Sequence, residues 1–279
     1  MKNDALLEMR RNIFMMAYTA GIGHIASAYS CLEILYTLYL EKIMNIDIMK
    51  LDSCTRDKFV MSKGHGSLAL YVVLAEIGAF SKKELMTFSR PGSRLGGEPN
   101  KNELPGIEAT TGSLGHGITY ALGIALADKM AGRDCKTYCL IGDGESQEGS
   151  VWEVAMLASK YKLDNFVVIL DHNRLQKMGA VTDVMGISSW DNKWTSFGWD
   201  LLNVDGHDID KLNNCFSSIQ ANGKPHIVIA DTVKGKGVSI MENDPGWHWR
   251  LPSKKELKVV LEELGISREE LDIAKSIYK

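Results

Sequence analysis

No stretch of the 279-residue chain holds 18 apolar residues in a row, and its first twenty residues mix acids and bases with apolar residues at helical spacing. A membrane-spanning helix and a secretory leader both need a continuous apolar run, so neither is expected. Cysteine is scarce and odd in number: Cys31, Cys54, Cys135, Cys139 and Cys215 lack the density of a disulfide scaffold. That usage suits a reducing compartment, and the chain reads as cytoplasmic. Cys135 and Cys139 form a C-x3-C pair, but no second Cys/His pair with zinc-ligand spacing accompanies them. Charge of one sign is also missing. A formal net charge of −3 and a sequence pI near 6.2 give no general electrostatic case for nucleic acid. Neither G-x-G-x-x-G after a strand nor G-x-x-x-x-G-K-[ST] occurs, which removes the dinucleotide fingerprint and the P-loop.

What is present is an ordinary globular composition, 45% hydrophobic, enough to fill a sizeable core and suited to small-molecule chemistry. Short runs rich in Val, Ile and Leu predict strands at Thr137 to Ile141, Phe166 to Leu170, Asp200 to Val204 and His226 to Asp231. Helical patterns join them at Val151 to Tyr161 and Asp208 to Gln220, with Asp208 an expected N-cap and Gly223-Lys224-Pro225 a stop. Alternation of this kind predicts an α/β fold, a parallel sheet flanked by helices with ligands beyond the carboxyl ends of the strands. The first 130 residues read as mainly helical, clearest at Leu32 to Lys42, Ser67 to Ile77 and Leu114 to Met130. The loops GIGHIAS, SKGHGS and TTGSLGHG interrupt them. No internal repeat, low-complexity tract or linker is visible. Residues 1–279 are expected to form one domain, with a charged helical extension from Ser253 onward.

One stretch carries chemistry. In CLIGDGESQEGSVWEVA, apolar strand residues run into Gly142-Asp143-Gly144, an acid between two glycines that let the backbone turn tightly. Alone this is a common turn. After the next predicted strand comes Asp171-His172-Asn173, and Asn173 lies 30 residues beyond Asp143, room for one helix, one strand and their turns. A carboxylate and an amide oxygen would then converge from neighbouring strand ends. A few hard oxygen donors suit Mg²⁺ that retains water and is completed by phosphate oxygens; Ca²⁺ usually takes more protein oxygens. The natural ligand is a diphosphate.

GDGESQEG followed at that interval by DHN resembles the thiamine diphosphate motif. GIGHIAS, FVMSKGHGSLALY, LPGIEATTGSLGHG, DTVKGKG and GWH stand in the order of a transketolase, from about Arg10 to Arg250. The resemblance implies the thiamine diphosphate-binding fold and two-carbon ketol transfer between sugar phosphates. It implies Asp143, Asn173 and the carbonyl of Leu175 as ligands of Mg²⁺ or another divalent cation such as Ca²⁺ or Mn²⁺, with Gly144 near the diphosphate. His24, His65 and His248 match active-site histidines, His65 toward the diphosphate and the other two toward the reacting carbon. Ser27, Gly112, Ser113, Leu114 and Lys234 match cofactor-contact positions. The resemblance does not extend to the pyrimidine-binding domain of whole transketolases, which carries the glutamate that activates the cofactor, so a partner chain is expected to supply it. The resemblance is therefore to the N-terminal subunit of a split transketolase, with a C-terminal partner subunit in an expected heterotetramer. Glu148 and Glu153 match glutamates at the subunit interface. His116, His172, His207 and His226 receive no chemistry, and Trp190, Trp194 and Trp199 read as packing or interface residues.

Two residues depart from the pattern. Glu98 in RLGGEPN stands where a transketolase usually has a His that contacts the donor's hydroxyl, and Trp249 replaces a small residue after His248. Ionised Glu only accepts hydrogen bonds, so the donor or acceptor is expected to differ. Ketol transfer is the leading expectation. Transfer of an acetyl-type unit from a 2-oxo acid, or a non-catalytic regulatory subunit of the same fold, stand as alternatives.

Overall fold

The computed structural model of the chain describes residues 2–186 and 189–276. Five parallel strands form the central sheet: β1 (Lys58–Met61), β2 (Thr137–Gly142), β3 (Phe166–His172), β6 (Asp200–Asp205) and β7 (His226–Asp231), in the order β1-β2-β3-β7-β6. A separate antiparallel pair, β4 (Leu175–Gln176) with β5 (Gly179–Ala180), forms a small hairpin just after β3. The four predicted strands are found. β1 and the hairpin lie where no strand was expected: KFVM is only four residues, too short for alternation to show, and all four are buried.

Because successive side chains on a strand point to opposite faces, the sheet divides the core in two. Tyr138, Leu140, Val167, Ile169 and Val228 join one apolar cluster with α1 (Lys2–Ala20), α2 (Ile25–Ser30), α3 (Leu32–Leu40), α4 (Ser67–Glu76) and α9 (Ile209–Ser217). Cys139, Ile141, Val168, Leu170 and Ile227 join the other with α5 (Gly117–Met130), α6 (Gly149–Lys160) and α8 (Trp190–Ser196). Both faces are covered, which is why the strands read as apolar runs without polar alternation. Between β5 and α8 lies the short α7 (Val181–Met185).

Asp208 caps α9 by accepting from the Lys211 N–H at 3.0 Å. The tail forms α10 (Lys254–Leu264) and α11 (Arg268–Ser276). Their apolar stripes, including Val260, Leu261, Leu264 and Leu271, join the same cluster as α1, and Arg11 donates to the Gly265 carbonyl at 2.8 Å.

Candidate functional site

In a parallel sheet all carboxyl ends lie on one edge, and four of them deliver polar residues there. Register sets Met61 beside Leu140, Gly142 beside Asp171 and His172 beside Asp231. The residues that follow, Lys63, Asp143, Asn173 and Lys234, therefore meet in one cavity of about 480 Å³. The start of α2 brings in His24 and Ser27, the connecting segments bring in His65, Glu98, Gly112, Leu114 and His248, and Gly144, Leu175, Gln176 and Lys177 also line the wall. Of the residues singled out for the site, Ser113 alone stays outside this wall and is exposed.

The acid side is tightly held. Asp143 is buried, its Oδ1 2.7 Å from His172 Nδ1 and 3.0 Å from the donating indole N–H of Trp190; its Oδ2 accepts from the Arg174 N–H at 2.7 Å. Asn173 accepts from the Leu175 N–H at 3.1 Å and donates to Asp171 at 3.3 Å. Beneath them Asp171 accepts from Ser30 at 2.6 Å, from Thr232 and from the Lys63 ammonium, which also donates to the Ser27 carbonyl at 3.1 Å. Burial pushes the Asp171 carboxyl up, but the Lys63 charge and the hydrogen bonds from Lys63, Ser30 and Thr232 outweigh it and hold the group below its ordinary range. The same pairing keeps Lys63 protonated against its own burial.

The histidine side is built from rings. His24 stands 5.3 Å from His65 and 5.1 Å from His248, centroid to centroid, and 4.3 Å from Trp249. Among the described residues neither the His24 nor the His65 ring has a hydrogen bond, and His248 Nδ1 has one contact, 3.2 Å from Lys234 Nζ. Burial, with the charges of His248, Lys234, Lys63 and Lys177 behind it, lowers His24 to about 3. Burial and Lys234 lower His248 to about 4, and burial with Lys63 takes His65 well below the imidazole range. All three are neutral at pH 7. Lys234 is buried without a carboxylate partner among the described residues, and burial and the Lys63 charge bring it down to about 8. Glu98 stands at the mouth, its carboxyl raised by partial burial and without a hydrogen-bond partner among the described residues.

Glycines admit close approach here. Gly112, at φ +142°, leaves the space filled by the Glu98 carboxylate, whose Oε2 would lie 1.6 Å from an added Cβ. A Cβ on Gly64 would lie 2.8 Å from the Gly112 backbone nitrogen, so the loops carrying His65 and Gly112 pack backbone to backbone.

Lys63 and Glu145 escape the sequence reading, and Trp190, read there as a packing or interface residue, also donates to Asp143. Glu145 is buried and accepts from Ser62 at 2.5 Å and from the Gly115 N–H at 2.9 Å. The signal for Lys63 is its place directly before Gly64-His65 in an apolar run; Trp190 has no local signal, because its partner is 47 residues away. Trp194 and Trp199 pack on each other at 4.8 Å, as expected of core residues. His172, given no chemistry, touches Asp143. His207 bridges Glu33 and the Val233 N–H, His226 is buried at the start of β7, and His116 is exposed.

The residues fit an anionic, diphosphate-sized ligand: an ammonium buried without a carboxylate partner, imidazole N–H groups free to donate, and two oxygen-bearing side chains on adjacent strand ends. Among the described residues no cluster of three or more His, Cys, Asp or Glu side chains could hold a metal ion. Any cation here needs amide, carbonyl or non-protein oxygens beside Asp143.

Comparison with known proteins agrees. Residues 5–279 match the family described as transketolase, thiamine diphosphate binding domain. The chain is 44% identical over 264 residues to a protein of Phocaeicola vulgatus named as one subunit of an apulose-4-phosphate transketolase, covering 94% of this chain and 93% of that one. A protein of the same name from Actinobacillus succinogenes is 42% identical, covering 91% and 92%. Human transketolase is 35% identical over 94% of this chain, which spans 41% of its length. The solved transketolase of Campylobacter jejuni superposes with a TM-score of 0.85 at 27% identity, over 98% of this chain and 46% of that one. The chain belongs to the transketolase family, as a thiamine diphosphate binding domain.

Proposed function

We propose that the chain is a single diphosphate-binding domain that serves as the N-terminal subunit of a split transketolase. It transfers a two-carbon ketol unit from a ketose to an aldose when a C-terminal partner supplies the pyrimidine-binding half of the site. The observation that carries the reading is Lys234, an ammonium buried without a carboxylate partner among the described residues, in the same wall as the Asp143 and Asn173 pair and the three histidines. The two bacterial relatives named as transketolase subunits, each matched over nearly its whole length, support the split arrangement. Their names point to a phosphorylated ketose donor.

Thiamine diphosphate, when bound, supplies the carbanion chemistry of ketol transfer. Lys234 is protonated at pH 7 and offers its charge to the diphosphate, with His65 donating beside it. Asp143, Asn173 and the Leu175 carbonyl would hold a divalent cation such as Mg²⁺, which would offset the charge of the diphosphate. Gly144, without a side chain, leaves room for that approach. Ser27, Gly112 and Leu114 shape the rest of the wall, and Ser113 is a peripheral contact. His24 and His248, neutral at working pH, can each donate from one ring nitrogen and accept at the other. They hold the sugar oxygens and move the proton at the reacting carbon. Glu98 accepts from a donor hydroxyl.

The partner interface is assigned to α5 and α6. Glu153, Met156, Leu157 and Lys160 share one exposed face of α6, with Glu148 at its start, and Tyr120 and Met130 are exposed on α5. A surface of this apolar content suits a heterotetrameric assembly. Among the described residues no helix is long and apolar enough to cross a membrane.

The test is to purify the chain with its encoded neighbour and assay donor cleavage with thiamine diphosphate and Mg²⁺. Turnover of xylulose 5-phosphate supports ketol transfer. Turnover of pyruvate alone would replace it with acetyl transfer, and failure to bind the cofactor would leave a regulatory subunit.

A further inference from the structure

In the segment Trp247-His248-Trp249-Arg250, Trp247 and Arg250 pack on each other, His248 lines the cavity, and Trp249 stands exposed beside the cavity-lining His24. Trp247 is 2% exposed, and the Arg250 guanidinium lies over its ring, 3.4 Å from the centroid. Arg250 in turn donates twice to Glu256 in the first turn of α10, at 3.0 and 2.9 Å. His248 lines the cavity, while Trp249 remains 51% exposed with its indole against His24. The indole is the nearest ring to His24, at 4.3 Å and 60°, against 5.1 Å for His248 and 5.3 Å for His65. Since the His24 ring has no hydrogen bond among the described residues, these rings set its orientation.

We propose that Trp249 is a positioning and specificity-determining residue: its indole is the outer wall that fixes the His24 ring and narrows the entrance in favour of short aldehyde acceptors over extended aldoses. The inference rests on the reading of the site as one for ketol transfer. An indole covers a large area with few rotamers and makes a stiff wall. Its own anchor is firm, because the residues on both sides of the His248-Trp249 pair are tied down through Trp247, Arg250 and Glu256. The charges that act most on His24 are those of His248, Lys234, Lys63 and Lys177, with the His65 ring 5.3 Å away; Glu98, Asp143 and Glu145 line the same cavity, and none of the three makes a hydrogen bond or ion pair with His24 among the described residues. Removing the indole therefore changes the hydration and freedom of the imidazole without removing a charge partner.

The test compares wild type, W249A and W249F, each in complex with the partner subunit, using a ketose phosphate donor and two acceptors, glyceraldehyde 3-phosphate and ribose 5-phosphate. W249A is expected to raise the kcat/KM ratio of the five-carbon to the three-carbon acceptor about tenfold, mainly through KM, the scale on which an apolar wall discriminates by size. W249F is expected to retain the wild-type ratio. NMR titration of the His24 ring should show its midpoint moving upward in W249A and unmoved in W249F. An unchanged acceptor ratio in active W249A overturns the specificity role, and an unmoved midpoint overturns the positioning role. Should W249A fail to assemble, W249L carries the same comparison. Absence of ketol transfer by the wild-type complex would instead sink the functional reading, and the titration then decides the Trp249 contact independently.

Discussion

Lys63 and His24 line the same cavity, one tied to partners on several sides and the other only touched by neighbouring rings. The Lys63 ammonium is shared between Asp171 and the Ser27 carbonyl; Asp171 accepts from four side chains, and Asp143 is met by three partners of its own. Across the cavity, His24, His65 and Glu98 have no side-chain hydrogen bond among the described residues, and His248 has only Lys234. A fully satisfied buried network fixes a geometry. Groups left uncommitted on loops keep their donors and acceptors for a ligand. The first side is a fixed frame, and the second leaves its donors and acceptors open to a ligand.

The largest expected effect tests the frame. Lys63→Met leaves the Asp171 charge buried with its cation gone and is expected to destabilise the fold by about 3–5 kcal/mol in urea titration. A loss under about 1 kcal/mol would mean the pair is ornamental and the contrast false. Next comes Asp143→Ala, expected to weaken Mg²⁺-dependent thiamine diphosphate binding by more than about 100-fold, whereas Trp190→Phe, which removes one donor to that carboxylate, should cost about tenfold. Asp143→Ala should keep the fold, at about 1–3 kcal/mol for the donors it strands. Equal affinities for the two variants, read by calorimetry with and without Mg²⁺, would deny Asp143 its direct role.

Physical reasons explain what was legible in the sequence. The strands β2, β3 and β7 are buried on both faces and so appear as apolar runs, and the acid and amide at the ends of β2 and β3 are marked by glycine and by their spacing. β1 is too short to show a period. The hairpin of β4 and β5 rests on two pairs of residues. Asp143's contact with Trp190 and Lys63's with Asp171 span 47 and 108 residues, and no local pattern encodes a pairing at that range. Motif resemblance located the histidines, but their ring packing and lack of hydrogen bonds follow only from the folded arrangement.

A smaller effect separates the two sides by pH. His24 and His248 titrate near 3 and 4 in the fold, against an ordinary value of 6.5. Between those values the unfolded chain binds protons that the folded chain refuses, so stability is full above about pH 6.5 and falls as pH drops toward 4. The double variant His24→Gln, His248→Gln should reduce the slope of unfolding free energy between pH 6.5 and 4, leaving the part due to His65. Lys63→Met should lower the whole curve and lessen that slope only in part, because burial, the larger cause of the lowered imidazoles, stays while one of the charges behind it goes. A slope unchanged in the glutamine variant would show that the imidazoles are as well hydrated folded as unfolded.

The smallest effect is the most informative about substrate. Glu98 fills the space over Gly112 and faces the cavity mouth with no hydrogen-bond partner among the described residues, so an ionised carboxylate there can only accept from a ligand. Glu98→His restores a side chain able both to donate and to accept. Its kcat/KM for an ordinary hydroxylated ketose phosphate is expected to rise by less than about tenfold, with stability unchanged because no protein hydrogen bond is lost. If the donor preference does not move, Glu98 belongs to the frame in spite of its free oxygens. A loss of stability above about 1 kcal/mol would say the same, since only a frame residue has partners to lose.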